Sequence, residues 1–220
     1  MTQPASRFRD LTLGEFIAAL ASSAPVPGGG SASAITGSLA AALVRMVVAL
    51  SLDRPKYAAY DSTLRRADDV AERALERLLS LADEDAAAYG RLAAAFKMPK
   101  ETPEQEEVRR AAIRTHARES ALSPLAVLRE CWDVLVAAEA IAGRSNANAA
   151  SDVATAASLA EAAARGAASN VLINLPMTHD DAFTADTQTE VVRTLEAVDD
   201  LATRARFATA QTDLRDPEPA

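Results

Sequence analysis

Five polar residues crowd into the eight positions from Ser145 to Asp152: Ser145, Asn146, Asn148, Ser151 and Asp152, within GRSNANAASD. Serine, asparagine and aspartate each cap a helix start by accepting from orphan backbone amides, and one cap is enough. Five exceed that need. An aspartate at the head of an alanine-rich helix is open to partial desolvation, which raises a carboxyl pKa into the range useful for acid–base work. Asp152 is therefore the candidate catalytic residue, with Asn146, Asn148 and Ser151 as candidate substrate ligands.

A second group lies in PVPGGGSAS, Pro25 to Ser33, where Gly28, Gly29 and Gly30 precede Ser31 and a helix. Glycines let backbone amides approach a ligand, and the N-terminal helix dipole favours an anion. The same pattern also serves a plain connection between crossing helices. No Lys-Ser/Thr pair follows at P-loop spacing and no strand precedes, so neither nucleotide fingerprint is present. Asn170 and Asn174 stand four apart, hence on one helical face, beside Val171, Leu172 and Ile173. They either bond a neighbouring helix or read the donor and acceptor edge of a heterocycle. Lys97 and Lys100 flank Met98 and Pro99 and can catch a carboxylate or simply solvate a surface. His116 and His179 are isolated and Cys131 has no nearby partner, so the spacing offers neither a metal ligand set nor an activated nucleophile; His116, in a charged helix, reads as solvated.

The elements that must position these residues are all helical. Thr12 and Glu15 form a capping-box pattern ahead of Phe16, Ile17 and Leu20, and Pro25 and Pro27 end that helix. Ser31 to Leu52 is nearly apolar all round, as a buried central helix would be. It also has the length of a membrane span, but Ser31, Ser33, Thr36, Ser38 and Arg45 weaken that reading. One long amphipathic pattern runs from Tyr57 to Phe96, with Leu64, Ala67, Ala71, Leu75, Leu78 and Ala82 on one stripe. Thr102, Pro103 and Gln105 start the next helix. Ser123 and Pro124 either kink it or cap a further helix that ends near Gly143. Two more helices are expected over Ala147 to Val171 and Asp186 to Thr212; residues 1–10 and 213–220 read as flexible ends.

With 220 residues, 49% of them hydrophobic, the chain can bury one core, and a single-domain antiparallel helical bundle is expected. Aromatics are only 4%, so helices must approach closely over alanine and each buries little area; that shortfall predicts a homo-oligomer, a dimer or larger. The formal charge of −8 repels phosphate backbones, which argues against a nucleic-acid partner. A single cysteine and an N-terminus without an apolar run fit a cytoplasmic protein not bound to membrane.

Three segments, SSAPVPGGGSASA, FKMPKETPE and SNANAASDVATAASLAEAAARGAASNVLINL, resemble in order the blocks of the cyclodeaminase domain of formiminotransferase-cyclodeaminase and of the stand-alone methenyltetrahydrofolate cyclohydrolase. The resemblance spans roughly Leu13 to Leu175; beyond it PMTHDDAFTAD departs from the pattern. It implies an all-helical dimer that binds a tetrahydrofolate derivative near the subunit interface, without a metal or cofactor. By the same resemblance Gly28 to Gly30, Ser31, Asn146, Asn148 and Asp152 line one pocket, and Asn170 and Asn174 fall in a matching block. Asp152 would then shuttle the proton in cyclodeamination of 5-formiminotetrahydrofolate, or orient the water that opens a methenyl bridge. A non-catalytic folate-binding or scaffold protein of the same fold is the remaining alternative.

Overall fold

The computed structural model describes residues 7–211 and 213–217. The capping box forms as the spacing predicts: Thr12 accepts from the Glu15 amide and Glu15 accepts from the Thr12 amide, starting α1 (Leu13–Leu20). Five long helices follow: α2 (Gly29–Ala49), α3 (Asp61–Phe96), α4 (Pro103–Ile141), α5 (Ala150–Asn174) and α6 (Asp181–Thr209). The described residues contain no strand, so the protein is all-α.

α2 lies at the centre and packs against α3, α4 and α5, with α6 closing the far side on α4 and α5. Its inner face is built of Ala34, Ala40, Ala41, Val44 and Val47, all fully buried. Small residues let the axes come close. A Cβ on Gly166 of α5 would sit 2.4 Å from the Ser33 hydroxyl of α2, so any larger residue there would push that hydroxyl out of its place. At the other end of the pair the Asn146 amide donates to Ser51 Oγ at 2.8 Å. The two contacts make α2 and α5 antiparallel. By length and composition α2 could also cross a bilayer, yet half of its apolar window is buried inside the bundle.

α3 and α4 form a hairpin of 36 and 39 residues, clamped along its length by Arg91–Glu119 at 2.8 Å. The stripe read from the sequence is its inner seam: Leu64, Ala67, Ala71, Leu78 and Ala82 are buried. Pro124 neither ends α4 nor starts another helix, because a neighbouring side chain repairs the hydrogen bond it removes. A proline has no N–H for the carbonyl four residues back. Here that carbonyl, Ser120 O, accepts from Asn174 Nδ2 of α5 at 3.0 Å.

Three boundaries differ from expectation. α5 continues past Val171 to Asn174, and Pro176 follows in a short 3-10 turn. α6 begins at Asp181 rather than Asp186, because the Asp180 carboxylate caps the Phe183 amide at 2.9 Å. The C-terminal segment, expected to fray, is strapped down as far as it is described. Arg215 Nη1 donates to Glu139 O and Ala142 O, its Nη2 meets Glu139 Oε1 at 2.9 Å, and Tyr60 Oη donates to Arg215 O. The expectations for residues 1–6, 212 and 218–220 lie outside the described residues. Among residues 7–10, Phe8 is held by its amide to Asp83 Oδ1 at 2.8 Å.

Because Glu139 is buried, Arg215→Ala should leave its carboxylate short of donors and lower the unfolding free energy by about 1–3 kcal/mol. Urea denaturation measures this; an unchanged midpoint would show that the strap contributes nothing.

Candidate functional site

One residue of the helix-start cluster is accounted for by structure. Asn146, 7% exposed, accepts from the Asn148 amide, donates through Nδ2 to Leu50 O at 3.2 Å, and its own amide is taken by Ser51. It ties the start of α5 to the end of α2. Asn148 and Ser151 are exposed, and the Ser151 carbonyl accepts from Thr155. Asp152 is half-buried in the first turn of α5, and among the described residues its carboxylate forms no hydrogen bond or ion pair. A cleft of about 410 Å³ opens nearby, lined by Ser145, Asn146 and residues of the C-terminal strap, but Asp152 is not part of its wall.

The glycine turn lies at the opposite end of the same helix pair. The eighteen residues from Asp152 to Asn170 span about 27 Å of straight helix. The pocket of Gly28–Ser31 with Asn146, Asn148 and Asp152 that the resemblance implies is thus not assembled within one chain, where a rigid helix holds the two groups apart.

What the glycine turn does gather is a different set. A cleft of about 210 Å³ is lined by Pro25, Gly28, Gly29 and Gly30, by Asp85 and Tyr89 of α3, by Ser120 of α4, and by Asn170 and Asn174 of α5. This volume is below the ~300 Å³ at which pockets for whole drug-sized ligands begin, so it suits a ring system. Four helices and the turn meet there, so its lining side chains are carried mainly on packed helices.

Asp85 is the residue that sequence reasoning missed. Its carboxylate lies over the first turn of α2, so close that a Cβ on Gly30 would stand 2.2 Å from Oδ1. Glycine at position 30 is required by this approach. Ser31, fully buried, is a positioning residue: its hydroxyl lies 3.0 Å from Asp85 Oδ2 and 3.0 Å from Ala82 O. One hydroxyl proton can serve only one of those acceptors at a time. When Asp85 is protonated it can donate to Ser31 Oγ, and Ser31 then donates to Ala82 O; when ionised it accepts instead. The pair thus accommodates both charge states without moving.

Burial pushes the Asp85 carboxyl above the usual carboxylate range, and the Ser31 hydroxyl and amide oppose that shift without cancelling it. No cation pairs with Asp85 among the described residues. A partly buried, unpaired carboxyl in a cleft is the pattern expected of a functional acid or base. The anion expected at the glycine turn is thus supplied by the protein itself. A signal for Asp85 was present: Leu78, Ala82 and Asp85 continue one helical stripe at i, i+4 and i+7, with buried Ala88, Leu92 and Ala95 beyond, so a carboxylate interrupts a core seam.

Asn170 and Asn174 face this cleft with their amide nitrogens already engaged. Asn170 Nδ2 donates to Gly166 O, and Asn174 Nδ2 to Asn170 O and Ser120 O. These carbonyls fix both amide orientations. Among the described residues neither Oδ1 accepts a hydrogen bond, which leaves two acceptors for N–H donors of a ligand. Asn174 bonds the neighbouring α4 whereas Asn170 bonds its own helix, and both side-chain oxygens stay available.

Lys97 and Lys100 are exposed at the far end of α3 and do not line the cleft. His116 is not simply solvated, since its Nδ1 lies 3.1 Å from Glu119, whose carboxyl Arg91 holds below the usual range. Burial pushes the Cys131 thiol up, away from thiolate chemistry. Among the described residues no group of three His, Cys, Asp or Glu side chains is placed to hold a metal.

The raised Asp85 pKa carries a stability consequence. The folded state holds this proton to higher pH than the unfolded chain, so the wild type loses stability as pH rises through that interval. Relative to wild type, Asp85→Asn should be at least as stable at a pH above the raised carboxyl range and lose that standing at a pH near the ordinary carboxylate value. Paired denaturation curves at the two pH values measure it, and a pH-independent difference would contradict the assignment.

Comparison with known proteins places this geometry. The formiminotransferase-cyclodeaminase family model matches residues 12–193. The chain is 37% identical to a methenyltetrahydrofolate cyclohydrolase of Methylorubrum extorquens, over 78% of this chain and 83% of that protein. It is 33% identical to the formimidoyltransferase-cyclodeaminase of Rattus norvegicus over 88% of this chain, but spans only 36% of that protein. The solved formiminotetrahydrofolate cyclodeaminase of Thermotoga maritima superposes with a TM-score of 0.82 at 27% identity, covering 91% of this chain and 96% of that one. The chain belongs to the formiminotransferase-cyclodeaminase family.

Proposed function

We propose that the Asp85 cleft binds the heterocycle of a tetrahydrofolate derivative and processes the one-carbon unit held between its N5 and N10 nitrogens, as a formiminotetrahydrofolate cyclodeaminase. The observation that carries this is Asp85 itself, a carboxyl held between charge states by Ser31 and facing two amide oxygens. In this reaction N10 attacks the formimino carbon bound to N5, a C–N bond forms, and the exocyclic C–N bond breaks to release ammonia. With the formimino group entering protonated, Asp85 as the carboxylate takes the proton from N10 and passes it to the departing nitrogen, which leaves as ammonia. As a carboxylate it offsets the positive charge of the amidinium that results. Asn170 and Asn174 accept from N–H groups of the ring and fix its orientation. No external anion competes for the first turn of α2, because Asp85 already faces it.

A second reading, methenyltetrahydrofolate cyclohydrolase, is favoured by the Methylorubrum relative, which this chain matches over 83% of its length. There Asp85 would take a proton from the water that adds to the methenyl carbon. The carboxylate tail of the substrate would run along α3 toward Lys97 and Lys100, about 18 Å and more beyond Asp85. A homodimer would cover the apolar side chains that the bundle leaves outside: Leu13 and Ile17 of α1 are 73% and 54% exposed, and Leu39 of α2 is 54% exposed.

Asp85→Asn should lower turnover by about 10² or more, whereas Asp152→Asn should stay within a few-fold of wild type. The reverse ranking would return the chemistry to the other end of α5. Both assays follow the methenyl absorbance: its appearance from 5-formiminotetrahydrofolate supports cyclodeamination, its loss from 5,10-methenyltetrahydrofolate supports hydrolysis, and inertness toward both contradicts the reading.

A further inference from the structure

One fully buried side-chain atom of a residue in the cleft wall has no protein partner. Ser120 is 5% exposed, and its Oγ is buried without a hydrogen bond among the described residues. Several helical hydroxyls elsewhere in the bundle return to the carbonyl four residues back, as those of Ser33, Thr36, Thr155, Ser158 and Ser169 do; Ser123 Oγ is also buried without a partner, but Ser123 does not line the cleft. Ser120 makes no such bond. Its backbone is also unusual, because Pro124 withholds the N–H that would have met Ser120 O, and Asn174 Nδ2 takes that place. The backbone of Ser120 is thereby satisfied from α5 while its side chain is left over, in a wall shared with Asp85 and the acceptor oxygens of Asn170 and Asn174.

A buried hydroxyl without a partner costs the ligand-free protein stability. Alanine would fill the same space at no such cost, so the hydroxyl needs another reason to be there. Asn174 has both amide N–H donors engaged and Asn170 one of its two, while the Ser120 hydroxyl, able to donate and to accept, has neither role filled by the protein. It is a neutral donor for an acceptor atom on the ring.

We infer that Ser120 is a specificity-determining contact, its hydroxyl donating to an acceptor on the tetrahydrofolate heterocycle. This inference rests on the folate reading of the cleft. Pro124 and Asn174 act as positioning residues: one opens the α4 backbone at Ser120, and the other closes it from α5.

The test compares Ser120→Ala with wild type, using tetrahydrofolate as the probe in calorimetric titration and thermal melts without ligand. Loss of a ligand-only hydrogen bond should weaken tetrahydrofolate binding by about 3- to 30-fold. KM should rise with it, kcat should change less, and the ligand-free melting temperature should stay the same or rise. Unchanged affinity with a lowered melting temperature would overturn the inference, because the hydroxyl would then serve the fold. Gly30→Ala, which drives a Cβ into Asp85, separates the two levels. If it weakens tetrahydrofolate binding while Ser120→Ala does not, the cleft reading stands and the Ser120 inference fails. If neither variant affects binding, both fail.

Discussion

The structure turns on the approach of the Asp85 carboxylate to the first turn of α2. A carboxylate fits there because position 30 has no side chain, Ser31 supplies a hydroxyl, and the helix start offers unpaired amides and a favourable dipole. The same contact sets the spacing of α2 and α3 at that end of the bundle. It therefore links packing to chemistry: the glycine turn, long a natural candidate for holding a ligand anion, instead holds the protein's own acid.

Around that contact the bundle solves a backbone problem with a side chain that also lines the cleft. Asn174 repairs the gap left by Pro124, and Asn170 returns to Gly166 O beside the tight Ser33 crossing. Both donors of Asn174 and one of Asn170 are engaged in this way, and the two oxygens left over are acceptors. Site and scaffold are in this sense one set of residues, which keeps Asp85, Ser120 and the two asparagines in register without a mobile loop between them.

Most of the fold was legible from local rules. The Thr12 and Thr102 caps, the apolar α2 and the α3 stripe follow from side-chain chemistry at fixed helical spacing. Helix ends decided by distant partners were not: Pro124 reads as a break until Asn174 is seen, and Arg215 reads as part of a loose tail until Glu139 is seen. The site was half legible. The glycine turn and the Asn170–Asn174 pair stand out by composition, but Asp85 lies among Asp83, Glu84 and other charges of an amphipathic helix. Only its place on the apolar stripe marks it. In the Ser145–Asp152 cluster only Asn146 ties the helix start to the end of α2, and capping leaves the polar residues beside it unexplained.

The central claim is that ligand chemistry occurs at the Asp85 end of α5 and not at the Asp152 end. Titrating the protein with tetrahydrofolate while following the aspartate carboxyl carbons by NMR tests it most directly. The account predicts that the Asp85 resonance shifts saturably and that its titration midpoint moves on binding, with Asp152 unaffected. A saturable shift of Asp152 with Asp85 unmoved would contradict it.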